Sequence, residues 1–163
     1  VLTASIHENV VSNWNWIEAL IASVPIAILV MLIVWINQFQ DAPSDAAVGK
    51  NTWVVRTAEK GEWMKLEKPL RLYKQFMIEA FVAVALVGAL SFFTDFGTVY
   101  AFMALIPLAL VWKAFKMADE WMIKWNNPNA DRQKVPYELL LVNVSTIGIH
   151  FLTGILLAVA YIL

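Results

Sequence analysis

Residues 16–40 read Trp16-Ile17-Glu18-Ala19-Leu20-Ile21-Ala22-Ser23-Val24-Pro25-Ile26-Ala27-Ile28-Leu29-Val30-Met31-Leu32-Ile33-Val34-Trp35-Ile36-Asn37-Gln38-Phe39-Gln40. A run this long and this apolar, with tryptophans at one end and amides at the other, has the length and flanks of a membrane-spanning helix. Pro25 lies inside it and predicts a kink, because the ring removes a hydrogen bond and crowds the preceding turn. Glu18 is expected to reach water at the interface. The rest of the chain fits this reading. It is 60% hydrophobic, 15% charged and has a mean hydropathy of +0.63, far more apolar than a soluble domain.

Three further apolar runs, at 76–93, 98–115 and 136–163, make the expected fold an all-α integral membrane protein with four transmembrane helices in a single domain over 1–163. The turn Thr94-Asp95-Phe96-Gly97 separates the second and third runs, Pro107 lies inside the third and Pro136 starts the fourth. Glu79 is one turn inside the second run, which makes it a functional candidate or a carboxylate reaching back to the interface. His150 is expected to bond to a neighbouring helix, with Gly148, Thr153 and Gly154 allowing close approach. Polar connections occupy 41–75 and 116–135. Asp119, Glu120 and Asp131 read as surface loop residues, and Trp53 and Trp63 as interfacial anchors.

All 12 Lys and Arg residues lie in these two connections or the helix ends beside them, and the 94–97 turn and the chain ends carry none. The positive-inside rule then places both connections in the cytoplasm and both termini outside, in the plasma or inner membrane. With no cysteine there is no disulfide, thiolate metal site or cysteine nucleophile. The chain opens on Val1 with no basic n-region, which reads as a truncated start rather than a signal peptide.

Where the first run stops, Asp41 and Asp45 stand four residues apart at its polar mouth, followed by Gly49-Lys50 and Arg56. Two carboxylates at this spacing suit a Mg²⁺ ion, and two nearby cations suit an anion that such a metal bridges. Pro43 stands between the acids. The expectation is a membrane helix ending near Asp41 and a short helix or turn carrying Asp45, with both carboxylates toward one pocket. An ordinary solvated helix end, with Gly49 providing the turn, accounts for the same residues without a ligand.

The segment Asn37…Asp41-x-x-x-Asp45-x-x-x-Gly49-Lys50-Asn51-Thr52-Trp53-Val54-Val55-Arg56 resembles the second aspartate motif of the UbiA-type intramembrane aromatic prenyltransferases, closest to their menaquinone branch. The segment from Asn143 to Leu157, with Ser145, Thr146 and His150, resembles that branch's last helix. The resemblance covers the C-terminal half of a nine-helix bundle. The family's first motif, N-D-x-x-D-x-x-x-D, does not occur here, so an N-terminal half or a partner membrane subunit is implied.

The resemblance implies Mg²⁺-dependent transfer of a polyprenyl group from polyprenyl diphosphate to an aromatic acceptor, 1,4-dihydroxy-2-naphthoate being the one most resembled. Asp41 and Asp45 would ligate Mg²⁺. Asn37, Lys50 and Arg56 would bind the diphosphate, membrane lipid would surround the helices, and nucleic acid has no part. The rival expectation is a non-catalytic membrane subunit whose half-fold binds lipid, quinone or neighbouring helices in a larger complex.

Overall fold

The computed structural model describes residues 15–58, 65–131 and 134–163. The readings of Val1 and Trp63 lie outside them. Helix α1 is Asn15–Ala47, α2 is Trp53–Thr57, α3 is Glu67–Leu90, α4 is Leu108–Trp125 and α5 is Leu140–Ala160. Turns of 3₁₀ helix precede the last two, at Val99–Leu105 and Val135–Leu139. Among the described residues, four segments are long and apolar enough to cross a membrane: Trp16–Ala47, Glu67–Leu90, Val99–Trp125 and Val135–Ala160.

Hydrogen bonds set the helix directions. α1 is antiparallel to α3, with Trp35 Nε1 donating to the Pro69 carbonyl at 3.2 Å near one end and Gly97 N–H donating to Glu18 Oε1 at 3.0 Å near the other. Asn143 donates to Asn37, which pairs α5 antiparallel with α1. Lys74 pairs with Asp119, and Asn126 donates to Glu67 at 3.0 Å, so α4 is antiparallel to α3. α3 and α5 therefore run in the same direction. The Tyr73 hydroxyl, 2.6 Å from Thr146 Oγ1, joins them through the core.

Leu29, Leu32, Ile36, Phe39, Tyr73 and Met77 are buried at the centre, spaced at helical intervals on α1 and α3. The ends of α1 and α4 are clamped together. Phe39 meets Trp121 edge-on at 5.9 Å, Trp121 stacks on Trp125 at 5.5 Å, and Trp121 Nε1 donates to the Val135 carbonyl at 2.8 Å.

Several boundaries differ from the apolar runs. α3 starts at Glu67 rather than 76, because Pro69, Leu70 and Tyr73 continue its buried stripe into the polar stretch and Pro69 sits in the first turn, where its missing N–H costs nothing. α4 continues to Trp125 because Ala114, Ala118, Trp121, Met122 and Trp125 are buried at helical spacing. Asp119 and Glu120 accordingly lie on a helix and not on a loop, and Asp119 is paired with Lys74. The third run is broken at Pro107, with 3₁₀ helix before it and α4 after it.

Glu18 is bonded to the Gly97 N–H rather than free in water. Gly97 has φ +82°, and a Cβ there would lie 2.3 Å from the Val87 carbonyl oxygen, so this turn requires glycine. The small residues of α5 are not where helices come closest. A Cβ on Gly148 would meet nothing within 4 Å and one on Gly154 would lie 3.9 Å from Ile26 Cδ1, whereas one on Gly88 of α3 would lie 3.0 Å from the Phe102 ring.

Candidate functional site

The α1 helix continues through Pro43 to Ala47, so Asp41 and Asp45 lie one turn apart on one helix rather than on a helix and a separate turn. Pro43 cannot donate, which leaves the Phe39 carbonyl without its intrahelical bond. The turn is held elsewhere: Ser44 Oγ donates to the Asp41 carbonyl at 2.8 Å, and Val48 N–H to the Ser44 carbonyl at 3.2 Å.

The helix stops in a left-handed cap. Gly49 has φ +72°, its N–H donates to the Ala46 carbonyl at 3.1 Å, and Lys50 N–H reaches back to the Asp45 carbonyl at 2.8 Å. These are the two bonds of a Schellman motif, with Gly49 in the position that requires positive φ. The same turn brings the Lys50 side chain onto Asp45, with Nζ 3.0 Å from Oδ1.

The two carboxylates differ in environment. Asp41 is exposed, whereas Asp45 is only 6% exposed. Lys50 occupies Asp45 Oδ1, and Asp45 Oδ2 is buried without a hydrogen-bond partner among the described residues. Among the described residues no group of three or more His, Cys, Asp or Glu side chains is placed to hold a metal ion. Among the described residues a cation here would take at most two carboxylates, those of Asp41 and Asp45. That suits Mg²⁺, which commonly uses one or two carboxylates and completes its shell with water and phosphate oxygens.

The remaining expected residues lie on the same end of α1 and on α2, which packs against α1. Asn37 is exposed one turn before Asp41 and accepts a hydrogen bond from Asn143 of α5. Arg56 is exposed on α2. α2 is attached to α1 by Gln38, whose Oε1 accepts from the Val54 N–H at 3.2 Å, and by Trp53, whose ring lies 5.8 Å from Trp35. The latter contact gives the half-exposed Trp53 a packing role beyond that of an interfacial anchor.

Gln38 is a site-building residue that spacing did not reveal, although an amide at the polar end of an apolar helix is the available signal. Asn143 is another, bonding across 106 positions of sequence. Gln40 Nε2 and Thr52 Oγ1, and Asn143 Oδ1 of α5 near the end of α1, are also buried without partners among the described residues. His150 Nδ1 is buried and makes no hydrogen bond among the described residues, so the expected bond to a neighbouring helix is not formed there.

No family model, no curated protein and no solved structure matches this chain.

Proposed function

We propose that the end of α1 binds a Mg²⁺-complexed diphosphate, and that the chain is the second-motif half of a UbiA-type prenyltransferase acting on polyprenyl diphosphate and an aromatic acceptor, 1,4-dihydroxy-2-naphthoate in the closest resemblance. The observation that carries this reading is Asp45 Oδ2, a buried carboxylate oxygen with no partner among the described residues, at the polar end of a membrane-length helix. Lys50 pairs with the other oxygen, Oδ1; a buried acceptor left unsatisfied is costly, and a cation bound at Oδ2 would remove that cost.

Asp45 and the exposed Asp41 would hold the ion, which when bound supplies positive charge against a departing diphosphate. Lys50, tethered by its own backbone to Asp45, neutralises diphosphate oxygens, and Arg56 adds a planar donor from α2. Asn37, oriented by Asn143, donates a hydrogen bond from its amide nitrogen. Apolar α1 and α5 side chains keep water from the allylic carbon and the prenyl chain. The positive-inside bias puts this end in the cytoplasm, and the absent first motif calls for a further membrane-embedded half.

A second reading, a non-catalytic membrane subunit, draws on the unequal exposure of the two carboxylates and on the absence, among the described residues, of a third ligand. Mg²⁺-dependent prenyl transfer in native membranes separates the two. Asp41→Asn and Asp45→Asn are each expected to abolish transfer; unchanged turnover in both variants removes the metal assignment.

A further inference from the structure

The bonds between helices also fix their relative heights. Tyr73 is level with Thr146 on the parallel helix α5, so Glu79 is level with Leu152. The Lys74–Asp119 and Asn126–Glu67 contacts on antiparallel α4 put Lys116 level with Met77 and Lys113 level with Ala80. At the same heights the helices present unlike surfaces. α5 exposes Leu141, Val144 and Phe151, all apolar. Over this stretch α3 exposes Arg71, Gln75 and Glu79 beside Ile78, and α4 exposes Lys113 and Lys116 beyond Ile123.

Glu79 cannot be treated as a residue at the helix mouth. α3 begins at Glu67, which places Glu79 about 18 Å along the axis, near the middle of the helix. Its carboxylate is exposed and accepts one hydrogen bond, from Gln75 Nε2 at 2.8 Å on the same helix. Lysine stems can carry their charges toward an interface, but the two-carbon stem of a glutamate spans only about one turn. Against lipid, a carboxylate at this depth is strongly disfavoured.

Tilting the whole bundle does not remove the mismatch. Exposed apolar surface starts at Leu140 on α5 but only at Ile78 on α3, an offset of roughly 16 Å along the axes. Neighbouring helices pack about 10 Å apart, and α3 and α5 lie diagonally across the bundle, roughly 14 Å apart, so a tilt of about 40°, the upper end of the usual range, compensates for about 12 Å and falls short of the offset.

We infer that the outer faces of α3 and α4, from the aspartate end up to Glu79 and Lys113, line a water-filled vestibule, while α5 faces lipid. Beyond that depth Val82, Leu86 and Trp112 return the surface to apolar and close the vestibule. A tightly packed partner helix is the poorer occupant, because such interfaces favour small residues and this face of α3 presents Arg71, Gln75, Ile78 and Glu79. The opposite wall is protein beyond the described helices. This inference is independent of the metal and diphosphate assignment.

The absence of cysteine makes the test direct. Single cysteines are placed in the full chain, in inside-out vesicles of its native membrane, at Gln75, Ile78, Val144 and Phe151, with the exposed Asn51→Cys as the control for reagent access. A membrane-impermeant methanethiosulfonate is the probe. Gln75→Cys and Ile78→Cys are expected to react at least about 100-fold faster than Val144→Cys and Phe151→Cys, because only a hydrated thiol ionises to the reactive thiolate. Equal, slow reaction at all four positions overturns the vestibule. Nitroxide labels at Gln75 and Ile78 then identify its replacement: collision with oxygen alone means lipid, and protection from both oxygen and a nickel chelate means a packed protein partner.

Discussion

Lys50 is bound to Asp45 twice, by its backbone N–H to the carbonyl at 2.8 Å and by its ammonium to the carboxylate at 3.0 Å. The first bond belongs to the helix cap and the second to the candidate site, so the geometry that ends α1 also aims the cation. As an ion pair the contact contributes little to stability, since Lys50 is 64% exposed. Its value is positional.

Gly49→Ala tests that coupling. Nothing lies within 4 Å of the added Cβ, so the effect is entirely one of backbone conformation at φ +72°. The expected loss is about 1–2 kcal/mol, read from thermal unfolding in detergent. Gly49→Asn, which tolerates the left-handed region, should lose less.

Gln38→Leu removes the acceptor for the buried Val54 N–H and should cost about 1–3 kcal/mol, expressed locally. Amide exchange at Val54 and proteolysis in the segment after Gly49 should both accelerate. Gln38→Glu keeps an acceptor oxygen and should retain most of the protection.

Tyr73→Phe deletes the bond to Thr146 and leaves Thr146 Oγ1 donating to the Val142 carbonyl at 2.8 Å. Hydrogen bonds between membrane helices average about 0.6 kcal/mol and reach about 1.7. A double-mutant cycle of Tyr73→Phe with Thr146→Val should give a coupling energy in that range.

At the far end of the bundle, Gly97→Ala should be poorly tolerated, because its Cβ would meet the Val87 carbonyl oxygen at 2.3 Å. Glu18→Gln preserves the Oε1 acceptor and should fold normally. Glu18→Leu leaves the Gly97 N–H without its acceptor and should lower the melting temperature.

The four spans were legible because apolar runs of membrane length are rare in chains that fold in water. Their ends were not. The onset of α3 and the end of α4 are set by buried stripes inside polar sequence, where Tyr73, Trp121 and Trp125 alternate with charges that face outward. Pro43 suggested a helix end between the acids. The helix passes through it because a single lost bond near a terminus is offset by the Ser44 side chain and the Gly49 cap. The acids, Lys50 and Arg56 of the candidate site stand out by their placement at the end of the apolar run, and Asn37 by the resemblance. Their unequal burial, and the roles of Gln38 and Asn143, depend on contacts between distant segments that no local pattern encodes.

The central claim is tested most directly by calorimetric titration of the reconstituted protein with inorganic pyrophosphate, with and without Mg²⁺. The account predicts binding that requires Mg²⁺, is lost in Asp45→Asn and is weakened in Lys50→Ala and Arg56→Ala. Equal pyrophosphate binding by the wild type and Asp45→Asn, or binding indifferent to Mg²⁺, would contradict it.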